Sequence, residues 1–182
     1  MKRLSITILL VCSAWSSFAF AGPAEDTVRS MQQAAQKDDI EALDRHVDFD
    51  AIARASLDKH WDSFTADERS VFLNSFRTLV RRAYQKGLGG KKKQAFEFQG
   101  ETTGPNGVTV KTLVELRPKE PKLSVNYLMT CKQTSCLLID VVTDGSSLVE
   151  SWRRMFNRII KRNGKAELIA RIEKKAKAGD DE

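Results

Sequence analysis

Few side chains in this sequence have the type and spacing that chemistry requires. Cys131 and Cys136 enclose Lys-Gln-Thr-Ser, and two cysteines so placed either pair or act as a redox couple. The CxxxxC spacing lacks the CxxC geometry that depresses a thiol pKa. The flanking segments LSVNYLM and LLIDVV read instead as two strands of a hairpin, whose loop would bring the Cβ atoms face to face as a disulfide. Closing so short a loop stabilises by about 2 kcal/mol, enough to tidy a turn. His46 and His60 are the only histidines; they lack the HExxH spacing of a metal site and read as surface residues beside acidic neighbours. Asp140 interrupts an apolar strand and Tyr127 lies on the strand before it. In a pocket such a pair could exchange a proton, although a buried aspartate held by backbone or by the tyrosine is the commoner arrangement. Gly145-Ser146-Ser147 is not the GxSxG elbow of hydrolases. No cofactor and no metal are called for.

The elements that must position these residues follow from periodicity. Helical stretches are expected from Glu25 to Lys37, Asp39 to His46 and Asp50 to Lys59. Thr65 with Glu68 has the capping-box spacing and opens a long helix to about Lys86, in which Phe72, Phe76, Leu79, Val80 and Ala83 recur on one side. Strands are expected over Gln94 to Thr102, Val108 to Arg117, Leu123 to Thr130 and Leu137 to Thr143, separated by short Gly, Pro and Asn turns that imply an antiparallel meander. After the Asp144-Gly145 turn, Ser147 and Glu150 mark a second capping box, and Leu148, Trp152, Phe156, Ile159 and Ile160 share one helical face up to Gly164. A last helix spans about Ala166 to Lys175. Alternation puts Phe96 and Phe98, then Val108, Val110, Val114 and Leu116, then Leu123, Val125, Tyr127 and Met129 on one sheet face. The fold class is therefore α+β: a curled four-stranded antiparallel meander packed against several helices, curling around the long helix and the Ser147 helix. An apolar sheet face opposite apolar helices fits a filled core and a greasy cavity equally well.

Residues 1–21 read as a signal peptide. Lys2 and Arg3 precede an apolar run from Leu4 to Phe20, and Ala19-Phe20-Ala21 forms a cleavage site before Gly22. The run is short of the ~20 apolar residues that span a membrane, and Leu9-Leu10-Val11-Cys12 lacks the small residue that precedes a lipidated cysteine. Residues 22–182 then form a single domain with a charged, frayed C-terminal tail, exported to an oxidising compartment. The formal net charge of +6 includes Lys2 and Arg3, so the domain is only mildly basic and carries no stripe of the kind that binds nucleic acid. Two cationic clusters stand out. Lys91-Lys92-Lys93 reads as a solvated loop or a steering patch toward an acidic partner. Arg153, Arg154, Arg158, Lys161 and Arg162 read as a polar helix face that complements the macrodipole.

The segments FDAIARASLDKHW, TADERSVFLNSFRTLVRRAYQKGL and LLIDVVTDGSSLVESWRRMFNRIIKRNG together resemble the MlaC family of periplasmic phospholipid-binding proteins, also called toluene-tolerance proteins. The resemblance rests on Phe49-Asp50, Ile52-Ala53-Arg54, Leu57, Trp61, Thr65, Arg69, Phe72, Phe76 and Tyr84, then on Tyr127, Asp140-Val141, Gly145, Ser147-Leu148, Arg153 and Phe156. Two positions depart from the pattern: Asp58 stands where a glycine is expected, and Leu137 or Leu138 where an aromatic would precede the Asp140 strand.

The resemblance implies a periplasmic carrier that encloses a phospholipid, or another amphiphile such as a hopanoid, in an apolar pocket between sheet and helices. At ~0.8 kcal/mol per buried methylene, two long acyl chains do not cross water unaided at a useful rate. By the same implication, the partners are an inner-membrane MCE-domain ABC transporter complex and an outer-membrane lipoprotein complex. Shuttling between them would maintain outer-membrane lipid asymmetry. The residues expected to line the pocket are Phe72, Phe76, Leu79 and Val80 on the long helix, Phe96, Phe98, Val110, Val114, Val125, Tyr127, Ile139 and Val141 on the sheet, and Leu148, Trp152 and Phe156 on the Ser147 helix. The alternatives are an isomerase-like enzyme using the same pocket, or a periplasmic adaptor without lipid cargo.

Overall fold

The structure, a computed structural model, describes residues 22–87, 95–115 and 120–178. The leader, the Lys91–Lys93 loop, Leu116 and the end of the C-terminal tail lie outside the described residues. The elements run α1 (Pro23–Gln36), α2 (Ile40–Asp44), α3 (Phe49–Leu57) with a 3-10 helix from Asp58 to Ser63, α4 (Ala66–Gly87), β1 (Ala95–Gly104), β2 (Gly107–Glu115), β3 (Leu123–Lys132), β4 (Ser135–Thr143), β5 (Ser146–Ser147), α5 (Leu148–Asn163) and α6 (Lys165–Lys177). The strands pair in chain order as an antiparallel meander. The sheet therefore has five strands, not four: the short β5 pairs Ser147 with Val142 before the chain turns into α5.

The register sets which side chains face inward. Phe96 pairs with Val114 and Phe98 with Thr112; Val110 pairs with Tyr127 and Thr112 with Val125; Tyr127 pairs with Val141. These residues form continuous inner rows. Thr112 fits the rows because its hydroxyl donates to the Val125 carbonyl at 2.7 Å, which satisfies the polar atom without water. In β4 the register shifts: Leu128 pairs with Asp140 but Met129 pairs with Leu138, leaving Ile139 as the extra residue of a bulge. Strict alternation had grouped Ile139 with Val141. The bulge instead gives the inner place to Leu138, which is fully buried, and leaves Ile139 half-buried and outside the core cluster. The backbone of Leu138 is taken up by the α2–α3 connection, donating to the His46 carbonyl at 2.8 Å and accepting from Asp48 N–H at 3.0 Å.

The helix whose backbone comes closest to the inner face is α1. Ala24, Val28, Met31 and Ala35 are buried at spacings of four, three and four, and the small residues let the helix approach β1, β2, β3 and β4. The closest backbone approaches of α4 are to α3 and α6 instead. The sheet thus comes closest to α1 and meets α5 and α3 at β4, while the α4 aromatics share one buried cluster with its inner face. Between α4 and α5 the space is filled by aromatic rings. Phe72 stacks on Phe76 at 5.1 Å and meets Phe156 edge-on at 5.7 Å. Phe76 meets Trp152 at 4.8 Å and Phe156 at 5.5 Å. Each such pair adds ~0.5–1.5 kcal/mol to the burial itself.

Several residues that carried the family resemblance form one clasp. The guanidinium groups of Arg54 and Arg69 lie 4.6 and 5.0 Å from the Trp61 ring centroid, and Arg69 donates to the Trp61 carbonyl at 3.2 Å. Asp58, the departure from the pattern, has φ +50°. That backbone conformation favours glycine, which is why a glycine is expected there.

Candidate functional site

The capping signals place α4, α5 and α6 around a groove. Thr65 and Glu68 form a complete capping box: Thr65 N–H donates to the Glu68 carboxylate at 2.8 Å and Glu68 N–H to the Thr65 hydroxyl at 3.2 Å. At α5 only half of the expected box forms. Ser147 Oγ accepts from Glu150 N–H at 3.0 Å, while the Glu150 carboxylate turns to Arg153 at 2.7 Å. The other half of the cap comes from Asp140. Its carboxylate accepts from Val149 N–H at 3.0 Å, from Val141 N–H at 2.8 Å and from the Ser147 hydroxyl at 2.5 Å, tying β4 to the positive end of α5. Asp140 is thus a structural anchor with its acceptors occupied by this turn. Tyr127 does not reach it. The tyrosine hydroxyl is buried without a hydrogen-bond partner among the described residues, and burial raises its pKa.

From that anchored start, Leu148, Trp152, Met155 and Ile159 follow at spacings of four, three and four along α5 and form one wall of a groove of about 460 Å³. Leu79 and Ala83 of α4 form the second wall and Ile172 of α6 the third. Among the described residues the polar lining is confined to Arg158, Arg171 and Lys175. Met155 is one of the two large apolar side chains of the described chain that remain exposed. The α4 and α6 walls are clamped to each other at both ends. Lys165 donates to Glu68 at 2.7 Å and to the Ser63 carbonyl at 2.9 Å, and Arg82 donates to the carbonyls of Lys175 and Ala176 at 2.9 and 3.0 Å. The Glu68 pKa is lowered, first by the Lys165 hydrogen bond. The α5 wall is held from the other side, where Arg153 donates to the Ala55 carbonyl at 2.9 Å and His60 Nε2 lies 2.9 Å from Asn157 Oδ1.

Of the side chains expected to line a pocket, Leu79, Leu148 and Trp152 line this groove. Phe72, Phe76, Val80 and Phe156 lie behind them in the aromatic core; Val110, Val114, Val125 and Tyr127 are buried on the sheet, with Phe96, Phe98 and Val141 packed at its margin. Trp152 joins the two regions, since it lines the groove and meets Phe76 edge-on. Ala83, Met155, Arg158, Arg171, Ile172 and Lys175 were not anticipated. The spacing of Leu148, Trp152, Met155 and Ile159 carried the signal for Met155. Nothing in the sequence pattern alone brings α6 alongside. Arg158 belongs to the groove rim and Arg153 to the α3 contact, so the cationic run on α5 is not one solvated face. Cys131 and Cys136 are a directly opposed cross-strand pair and form the expected disulfide, with an S–S distance of 2.04 Å.

A comparison with protein families matches residues 24–174 to the family described as MlaC protein. Among solved structures, the chain is similar to a phospholipid-binding protein from Ralstonia solanacearum, described as in complex with a phospholipid, at 17% identity and a TM-score of 0.69, over 85% of this chain and 94% of that one. A comparison with curated proteins finds no match.

Proposed function

The chain belongs to the MlaC family, and from that premise we propose that it is a periplasmic phospholipid carrier whose acyl chains enter through the groove between α4, α5 and α6. The observation that carries this reading is the lining itself: among the described residues, seven apolar side chains on three helices, with every polar lining residue a cation. That arrangement suits a molecule with a greasy body and an anionic end. The likeness to a structure described as holding a phospholipid is in keeping with it.

The groove falls within the ~300–1,000 Å³ of small-molecule sites, and two long chains require its walls to part. The clamps favour a particular motion. Since α4 and α6 are joined to each other while α5 is joined to α3 and β4, the α4–α6 pair can part from α5 with its mutual bonds intact, at the expense of the Arg69–Trp61, Arg81–Asp44 and Lys165–Ser63 bonds. Gly164, at φ +83°, links α5 to α6 and is the pivot on this reading. Displacement of Trp152 would then open the way to Phe76, Phe72 and Phe156, and the sheet residues expected at the outset would line the deepest part. An exported carrier of this kind would exchange lipid with an inner-membrane transporter complex and an outer-membrane lipoprotein complex.

The test is uptake. Protein freed of lipid is incubated with vesicles containing a fluorescent phospholipid and re-isolated by size exclusion. Fluorescence that co-elutes with the protein, and is transferred from it to acceptor vesicles, supports the carrier; protein that recovers no lipid contradicts it.

A further inference from the structure

The groove mouth is chemically one-sided. Among the described residues that line it, three of ten are polar, and all three are basic: Arg158, Arg171 and Lys175. Only Arg171 has an acidic partner among the described residues, Glu167 at 2.7 Å. The imbalance extends to the elements that form the mouth. From Leu148 to Lys177 the chain carries ten basic and three acidic side chains, an excess larger than the whole chain's net charge of +6. A lipid whose tails lie along Leu148, Trp152 and Ile159 presents its phosphodiester to this rim. There an anionic headgroup gains from every cation, whereas the ammonium of a zwitterionic headgroup meets no carboxylate or carboxamide among the described lining residues.

We infer that the groove selects lipids of net negative charge, with Arg158 and Lys175 as the specificity-determining residues. The inference rests on the carrier reading and names the class of cargo within it. A basic side chain near an anionic lipid surface is worth about a fivefold preference, and one such factor is the least the two exposed side chains together should give.

The experiment is a competition. Delipidated protein is brought to equilibrium with vesicles of equal parts phosphatidylglycerol and phosphatidylethanolamine with matched acyl chains, and the re-isolated protein is extracted for mass spectrometry. Because the ratio is read within the bound lipid, selectivity and capacity are separate readouts. The expected result is phosphatidylglycerol enriched about fivefold or more at low salt, with the enrichment declining as salt rises. Arg158→Gln with Lys175→Gln brings the ratio toward parity, whereas Lys161→Gln with Arg162→Gln, which lowers the hairpin's charge equally but away from the rim, does not. Parity in the parent protein, or a rim variant that keeps the parental ratio, overturns the selectivity and leaves the carrier intact. A parent that binds neither lipid overturns the carrier reading and the selectivity with it.

Discussion

Tyr127 is the side chain whose chemistry is least explained by the core around it. Its ring fills the inner face of the sheet, but its hydroxyl is buried without a partner, and an unsatisfied buried donor costs ~1–3 kcal/mol. Tyr127→Phe should therefore leave thermal stability unchanged or raise it by about 1 kcal/mol in denaturant titration. A loss of similar size would mean that a bound water or a ligand atom completes the hydroxyl. His46 gives a pH-dependent counterpart. Burial first, and Arg45 second, lower its pKa below the ordinary 6.5, so the unfolded chain binds this proton more readily than the folded one. The contribution is fully present above about pH 6.5 and is lost as pH falls through the folded value. The thermal midpoint should drop over that interval, and His46→Gln should flatten the drop; an unchanged slope in the variant would assign the drop to other groups. The depressed Glu68 carboxyl acts in a separate window, below its ordinary 4.5. At this scale the sequence was partly legible. The disulfide could be read from the spacing of two cysteines between strand-like segments, and the Thr65 box from its own four residues. The occupied carboxylate of Asp140 could not, because its partners lie seven and nine residues away across a turn.

At the scale of elements, periodicity located the α-helices of the described residues and the four long strands to within a few residues, since each buries one stripe or one face, but not the 3-10 helix of Asp58–Ser63 or the short β5. Three further features escaped it. The bulge at Ile139 breaks the two-residue period that assigned inward positions. The helix nearest the sheet proved to be α1, because its small residues permit a closeness that periodicity does not report. The groove depends on α6 lying along α4, held by Lys165 and Arg82 bonds that span about ninety residues or more of sequence. One pair of substitutions separates groove from core. Leu79 is half-buried on the groove wall, so Leu79→Glu should yield a folded protein of near-parental melting temperature with reduced lipid content. Val125 is 5% exposed on the sheet, where an unpaired carboxylate should cost several kcal/mol of a total of only ~5–15 kcal/mol and abolish folding. A folded Val125→Glu protein would show that the inner face yields space, and full lipid content in Leu79→Glu would move the tails out of the groove.

For the whole molecule, two kinds of sequence information had different reach. The order and spacing of short motifs led to the family, which the match over residues 24–174 establishes. The same motifs said little about the location of a cavity, because Trp61, Arg54 and Arg69 serve a structural clasp and Phe72, Phe76 and Phe156 fill a core. The carrier account requires that a protein with so much aromatic filling nevertheless accommodates acyl chains, and the most direct check is what the protein holds when it leaves the cell. Protein purified from the envelope without detergent, extracted with organic solvent and assayed for lipid phosphorus against protein concentration, should contain close to one phospholipid per chain. Protein that is folded by circular dichroism yet yields no lipid phosphorus would contradict the account.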